Sequence, residues 1–458
     1  MTQRVDLIVR NGTVVTPAGR GSLDIAATDG RIVAIAQRGR LALRASREVD
    51  AIGRHVLPGV IDGHVHFRDP GLTWKEDFRS GSLAAIMGGV TTVLDMPNTD
   101  PPTDSAAHAQ RKLEAAAARA WCDFGLIGLV SAGNLGELRP MADAGQVVGF
   151  KAFLGGTVGD IPTPDDGSLL EAMAEVRSLG MRLGFHAENG QILVRAAARL
   201  RAAGRTDPLA HVESRPVLAE LESIGRVGLF AEATGCPIHI FHLSSRQGLD
   251  AVGWWRRRGV DCTTEATPQH CFLGAEDMAQ VGARLRINPP VRHRAEGHGA
   301  ALLAGLATGQ VTGIATDHAP HTREEKLHDD IWASLSGFAG VETSVRLFLT
   351  HAVHAGVMTL EQYARASSEG PARTWGLYPR KGAILVGSDA DLTIVDLDVE
   401  DTIDEARLHG RSNLTPYEGQ RTRGAAVGTV VRGVVAMENG EPMGSPAGRL
   451  VRRVAWQG

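Results

Sequence analysis

The chain has 458 residues, of which 43% are hydrophobic and 22% charged, with a formal net charge of −4 and a pI near 6.5. This length exceeds one small core but suits an α/β barrel of about 250 residues together with a smaller second domain. The slightly acidic balance argues against a nucleic-acid-binding surface, which is usually strongly basic.

The two ends of the chain predict short β-strands. Near the N-terminus, the apolar runs VDLIVRNGTVVTP and RIVAIA are divided by the turn signals Asn11-Gly12 and Asp29-Gly30. Near the C-terminus, ADLTIVDLD, GTVVRGVVAMENG and LVRRVAW are separated by glycines and prolines. Because both ends differ from the middle in the same way, we expect residues 1–55 and 371–458 to form one small β-sandwich domain.

Residues 56–370 follow another rhythm, in which short apolar runs alternate with Ala-, Leu- and Glu-rich segments of helical period. The strand-like runs are HVLPGVIDGHVH, VTTVLDMPN, CDFGLIGLV, QVVGFKAFLGG, MRLGFHAEN, PIHIFHLSS, VDCTTEATPQH and VTGIATDHAPH. Strands that alternate with helices form parallel sheets, and eight such units indicate a closed (β/α)8 TIM barrel of the α/β class.

Each of these runs starts apolar and ends in side chains that can bind a metal or make hydrogen bonds. His64 and His66 end the first run, and residues i and i+2 of a strand point to the same side. His186, His242 and Asp317 end later runs. One buried histidine is usually only a hydrogen-bonded core residue, and a lone His-x-His pair has that same interpretation. Because barrel active sites gather at the carboxyl ends of the strands, the whole set favours a metal centre.

Lys151 lies in the middle of the apolar fourth run, GFKAFLGG. Burying an ammonium group without a partner is costly, so such a lysine either reaches an acid at the barrel rim or is chemically changed. One such change is addition of carbon dioxide, which gives an anionic carbamate able to bridge two divalent cations. The spacing alone leaves both interpretations open.

The segment HVHFRDPGLTWKEDFRSGSLAAIMGGVTTVLDMPNTDPPT, with GFKAFL, HAE, HLSS, NPPVR, ATDHAPHTREEK and GFAGVET, resembles the cyclic-amidohydrolase branch of the amidohydrolase superfamily. Within that branch the resemblance to dihydroorotases is greatest, and it covers nearly the whole chain. It implies a binuclear zinc centre with two Zn²⁺ ions bridged by N6-carboxylated Lys151. It also implies a role for Asp317 as general base and general acid. The implied metal ligands are His64, His66, Lys151, His186, His242 and Asp317.

The same resemblance assigns side chains to the substrate. Arg68, Asn98 and His321 match the residues that hold a substrate carboxylate, for which the planar fork of an arginine is well suited. Three more positions are expected to border the ring, through the NPPVR and GFAGVET motifs: Asn288, Gly337 and Ala339. Any one of them could instead serve only as a turn, capping or surface residue.

Other features resemble allantoinases and hydantoinases more closely. These are the segments HVESRPVLAELESIGR and GRSNLTPYEG, a lysine at position 151 where many bacterial dihydroorotases have Asp, and Ala339 where they tend to have Pro. Because Arg68, Asn98 and His321 match the residues that hold a substrate carboxylate, we nevertheless predict a zinc-dependent dihydroorotase. This enzyme interconverts dihydroorotate and N-carbamoyl-L-aspartate in pyrimidine biosynthesis. The alternative is an allantoinase or a hydantoinase/dihydropyrimidinase. A noncatalytic partner of aspartate transcarbamoylase is less favoured, because every expected ligand is present.

Further expectations concern partners and location. The four cysteines have no CxxC spacing, the N-terminus has charged residues before any long apolar run, and no segment has the roughly 20 apolar residues that cross a bilayer. We expect a cytoplasmic homo-oligomer, dimeric or tetrameric, without nucleic-acid or membrane partners. Its substrate is expected to be a small cyclic amide that carries a carboxylate.

Overall fold

The computed structural model describes residues 4–156 and 161–454. Six strands form from the N-terminal segment, where the predicted turns at Asn11-Gly12 and Asp29-Gly30 separate neighbouring strands. They are β1 (Arg4–Arg10), β2 (Thr13–Thr16), β3 (Gly19–Thr28), β4 (Arg31–Gln37), β5 (Arg44–Asp50) and β6 (His55–Pro58).

The middle of the chain contributes eight strands, one from each predicted run. They are β7 (Val60–Val65), β8 (Val90–Asp95), β9 (Asp123–Leu129), β10 (Gly149–Phe153), β11 (Leu183–His186), β12 (Ile238–Ile240), β13 (Cys262–Ala266) and β14 (Gly313–Ile314). Each strand pairs in parallel with the next one along the chain. A bridge between Val65 and His318 brings the end of β7 beside the segment after β14, which nearly closes the ring. The predicted TIM barrel is confirmed.

The C-terminal segment supplies the last strands, β15 (Leu392–Thr402), β16 (Arg421–Val431), β17 (Val434–Glu438) and β18 (Glu441–Pro442). They join β1–β6 in one curled ten-stranded sheet, in which β15 pairs with β6 and β6 with β2. Its core combines both ends of the chain, with Val14 and Val56 packed in one cluster with Leu392 and Val430. The predicted small β-structure from both termini is confirmed, as a continuous sheet.

Helices follow most barrel strands and cover the outside of the ring. They are α1 (Phe78–Met87), α2 (Ala106–Ala116), α3 (Leu138–Asp143), α4 (Asp166–Ser178), α5 (Gly190–Ala202), α6 (Pro208–Ser214), α7 (Val217–Thr234), α8 (Arg246–Arg257), α9 (Pro268–Phe272), α10 (Met278–Val281), α11 (His298–Thr308), α12 (Arg323–Lys326), α13 (Ser344–Phe348), α14 (Leu360–Ala364) and α15 (Gly370–Thr374). Side-chain caps start several of them: Asp77 accepts from the backbone of Ser80 at α1, and Ser245 from that of Gly248 at α8.

The exact division into domains remains a prediction. β6 lies across the predicted boundary between residues 55 and 56, and it pairs with strands of the curled sheet. The next strand, β7, already belongs to the barrel. Among the described residues, none of the helices combines the length and apolar character that a bilayer crossing requires.

Candidate functional site

A polar pocket opens at the carboxyl ends of the barrel strands and has about 430 Å³ of empty space. This is the end of a TIM barrel at which reactive side chains collect. The lining residues are His66, Arg68, Asn98, Lys151, Phe153, His186, His242, Asn288, Asp317, Ala319, Ser336 and Gly337. The pocket therefore includes most of the side chains that the sequence predicts for the site.

Three predicted ligands converge on one side of the pocket. The Nε2 atoms of His64 and His66 each lie 3.2 Å from Oδ1 of Asp317, and the three ligand atoms are within 4.8 Å of one another. The Nζ atom of Lys151 lies 2.8 Å from Nε2 of His64. His64 lies in β7 and His66 directly follows that strand, β10 supplies the lysine, and the segment after β14 supplies the carboxylate.

The other two predicted ligands meet beside this group. Nδ1 of His186, at the end of β11, lies 3.0 Å from Nε2 of His242, which follows β12. The ring of His242 also lies 5.2 Å from the ring of His64, centroid to centroid. The six predicted ligands thus form one continuous cluster.

Strained backbone holds part of this cluster. Arg68, His242 and Asp317 have φ angles of 62°, 37° and 51°. Side chains with a Cβ atom rarely adopt this left-handed region, and such conformations concentrate at functional sites. All three residues are among those that the sequence predicts for the site, so the backbone strain coincides with it.

Two buried glutamates set the orientation of two imidazoles. Oε1 of Glu265 lies 2.6 Å from Nδ1 of His64, and Oε2 of Glu188 lies 2.9 Å from Nε2 of His186. An ionised carboxylate only accepts hydrogen bonds, so each ring donates from that nitrogen when the glutamate beside it is ionised. The opposite nitrogens, which face the cluster, are left with lone pairs. Metal-binding imidazoles need this arrangement.

The electrostatics of the cluster also fit bound cations. Burial raises the pKa of Asp317 above its ordinary value and raises the pKa of Glu265 to about 8. Burial also lowers the pKa of His66 and His242 well below the ordinary value, so both rings are neutral and able to bind metal. Divalent cations at this place would favour the anionic carboxylates. The donor set of imidazoles and carboxylates suits zinc.

Arg68 carries the positive charge on the substrate side of the pocket. It is 1% exposed, and burial lowers its pKa to about 10, which leaves it cationic near neutral pH. Its Nη2 lies 3.3 Å from Nε2 of His321, whereas its Nε and Nη1 have no hydrogen-bond partner within the described part of the chain. These donors are available to an oxygen-rich ligand.

Two predicted substrate residues do not line the pocket. His321 lies behind Arg68, where its Nε2 is 3.1 Å from the carbonyl oxygen of Ser336 and its Nδ1 is 3.3 Å from Nζ of Lys75. Ala339 borders a separate small cavity with His318 and accordingly lies outside the main pocket. His321 therefore contacts Arg68 from outside the pocket lining.

The sequence interpretation missed several residues of the site. Glu265 ends the seventh predicted strand, and Glu188 stands in the HAEN motif beside His186, so a search for polar strand ends could have found both. Phe153 and Ser336 also line the pocket, and only the folded structure brings them there.

Comparisons with known proteins agree with this geometry. The amidohydrolase family matches residues 55–436. An allantoinase of Rubrobacter xylanophilus is 39% identical over 449 residues, which cover 98% of this chain and 97% of the relative. A dihydroorotase of Methanothermobacter thermautotrophicus is 38% identical over 422 residues, which cover 92% of each chain. The solved L-hydantoinase (dihydropyrimidinase) of Arthrobacter aurescens has a TM-score of 0.95 at 35% identity, over 98% of this chain and 100% of that one. The chain therefore belongs to the amidohydrolase family, in its cyclic-amidohydrolase branch.

Proposed function

We propose that this cyclic amidohydrolase opens a five-membered cyclic ureide of the allantoin or hydantoin type. The full-length similarity to an allantoinase and to an L-hydantoinase structure supports this ring over the dihydroorotate ring that the motifs predict. The convergence of six ligand-type side chains around one pocket carries the enzyme assignment. It also weighs against a noncatalytic partner of aspartate transcarbamoylase.

We further propose that these side chains hold two zinc ions. One ion would be bound by His64, His66 and Asp317, and the other by His186 and His242. Carboxylated Lys151 would bind both ions. Bound there, the ions would polarise the ring carbonyl and lower the pKa of a bound water. The amine of Lys151 is suited to carboxylation because burial lowers its pKa and so favours the neutral form that adds carbon dioxide.

In this proposal Asp317 moves the proton. Water adds through its oxygen to the ring carbonyl carbon, and the carboxylate of Asp317 accepts the proton that the water releases. The C–N bond then breaks, and Asp317 returns the proton to the departing ring nitrogen, so one water is consumed for each ring opened. Burial raises the pKa of Asp317 above its ordinary value, which favours uptake of a proton by this carboxylate.

One observation favours dihydroorotate as a second candidate. Arg68 lines the pocket, and two donor atoms of its buried guanidinium have no partner among the described residues, so a substrate carboxylate that reached them would satisfy both. The 38% identical dihydroorotase of Methanothermobacter thermautotrophicus is consistent with that candidate. A ureide carbonyl can also accept from Arg68, so the substrate has to be settled by assay.

The test is a side-by-side assay of the zinc-loaded protein on allantoin, a 5-substituted hydantoin, dihydrouracil and dihydroorotate. We expect the highest kcat/KM for allantoin or the hydantoin, and a preference for dihydroorotate would establish the second candidate instead. The variant Arg68→Gln adds an internal control. A hydrogen bond to a charged partner contributes about 1.5–3 kcal/mol, so Arg68→Gln should lower kcat/KM by roughly 10- to 100-fold for a carboxylated substrate. The loss should be smaller for a ureide, whose neutral carbonyl makes the weaker bond to Arg68.

A further inference from the structure

Two glutamates stand behind the ligand cluster, one beside each group of imidazoles. Glu265 is 3% exposed and contacts His64, whereas Glu188 is fully buried and contacts His186. His64 belongs to the group with His66 and Asp317, and His186 pairs with His242. Each half of the proposed centre therefore has its own carboxylate.

Glu265 is held in place from a second side. Its Oε2 lies 3.2 Å from Nε2 of His239, whose Nδ1 lies 2.9 Å from Oγ1 of Thr263. The backbone N–H of His242 also donates to Oε1, at 3.3 Å. Burial lowers the pKa of His239 well below its ordinary value, so this partner is a neutral ring. Glu265 thus contacts the proposed ligand His64 through Oε1 and a neutral ring through Oε2.

Glu188 is held by a cation instead. Arg215, at the end of α6, donates from Nε to Oε1 at 3.1 Å and from Nη2 to Oε2. Its own carbonyl oxygen accepts from Arg292. Such a two-pronged ion pair fixes the carboxylate plane and neutralises most of its charge. The same carboxylate oxygen that binds Arg215 also accepts from His186.

We propose that Glu265 and Glu188 are positioning residues that each tune one metal, Glu265 the ion at His64 and Glu188 the ion at His186. This inference rests on the binuclear centre of the proposed function. A carboxylate behind a ligating imidazole fixes the ring and increases its basicity, and removing it typically lowers metal affinity by roughly 10- to 100-fold.

The experiment measures zinc affinity rather than turnover, in backgrounds that each weaken one half of the centre. His242→Ala removes a ligand from one half, and His66→Ala removes one from the other. Zinc-depleted protein is titrated with zinc against a competing chelator, and bound metal is quantified. In the His242→Ala protein, we expect Glu265→Gln to lower the affinity for the remaining zinc ion by roughly 10- to 100-fold. In the His66→Ala protein, the same change should have little effect on zinc affinity. Glu188→Gln should show the opposite pattern.

A matched control removes the same charge from a Glu–His contact elsewhere. Oε1 of Glu342 lies 2.8 Å from Nδ1 of His409, which is not one of the proposed ligands, so Glu342→Gln should leave both zinc affinities unchanged. If the unaltered protein bound no zinc, the proposed function itself would fail. The unaltered protein could instead bind two ions while Glu265→Gln and Glu188→Gln lowered the affinity for both ions equally, or for neither. That result would overturn the assignment of one carboxylate to each metal and leave the zinc centre in place.

Discussion

At the scale of single residues, the proposed mechanism gives Asp317 two tasks that ordinarily conflict, metal binding and proton transfer. Its Oδ1 faces the Nε2 atoms of His64 and His66, as a metal ligand requires, and its backbone φ of 51° places it there at a conformational cost. A ligand oxygen is normally a weak base, but burial raises the pKa of this carboxyl. One side chain can therefore bind metal through one oxygen and exchange a proton through the other.

The variant Asp317→Asn separates these tasks. The amide keeps an oxygen for the metal but cannot accept a proton from water, so we expect two bound zinc ions and a loss of kcat of roughly 10²- to 10⁴-fold. Metal analysis and steady-state kinetics on the same preparation check this. Turnover within a few-fold of the unaltered enzyme would remove Asp317 from the proton-transfer step.

Lys151 gives a prediction about carbon dioxide and pH. Burial lowers the pKa of its amine, and only the neutral amine adds carbon dioxide, so carboxylation should increase as the pH rises at constant dissolved carbon dioxide. Metal-free protein reloaded with zinc in carbon-dioxide-free buffer should regain little activity, and added bicarbonate should restore it. Native mass spectrometry should show the added mass of one carbon dioxide. Lys151→Met is the control, for which bicarbonate should have no effect.

At the scale of elements, the site depends on how the first and last barrel strands meet. Asp62 in β7 accepts from Oγ1 of Thr316 at 2.5 Å and from the backbone N–H of Thr316 at 3.1 Å. Thr316 lies just after β14 and immediately before Asp317. The side chain of Asp62 thus joins the strand of His64 to the segment of Asp317, and so sets the distance between ligands from opposite ends of the barrel sequence.

Thr316→Val should weaken this junction. Valine has nearly the shape of threonine but leaves an oxygen of Asp62 buried without one donor, which costs about 1–3 kcal/mol. We expect a lower urea midpoint together with weaker zinc binding. Thr316→Ser keeps the hydroxyl and should stay close to the unaltered protein in both measurements. A serine variant as unstable as the valine variant would attribute the effect to packing instead.

The sequence predicts elements better than it predicts contacts between them. All eight barrel strands follow from short apolar runs, and five of the six proposed ligands lie at or just after a strand end, whereas Lys151 lies in the middle of β10. The link between Glu188 and Arg215 spans 27 residues and depends on how α6 docks, which no local pattern encodes. The position of His321 behind Arg68 likewise depends on side-chain packing. The motif places His321 near the substrate but cannot show that its ring contacts Arg68 and does not line the pocket.

At the scale of the whole molecule, one buried lysine joins the barrel to the curled sheet. Nζ of Lys381 lies 2.5 Å from Oδ2 of Asp123 in β9, 2.6 Å from Oδ2 of Asp391 and 3.1 Å from Oδ2 of Asp389. Arg432, between β16 and β17, also donates to Asp123 at 3.0 Å. The three carboxylates lie close enough to hold a metal ion, but the ammonium group occupies their centre. We interpret the cluster as a structural junction.

This interpretation predicts the behaviour of Lys381→Met. The variant leaves three carboxylates buried around an apolar side chain, and breaking a buried ion pair in this way costs about 3–5 kcal/mol. We expect a large fall in the urea midpoint, with zinc content per folded molecule unchanged, because the junction lies apart from the ligand cluster. Arg380→Ala is the control: its Nε lies 3.1 Å from Asp389 in a partly exposed pair, and such pairs contribute about 1 kcal/mol or less.

A metal site at the junction would behave differently, because removal of the competing ammonium would then create extra metal binding. A third bound ion in Lys381→Met that restored its stability would refute the structural interpretation.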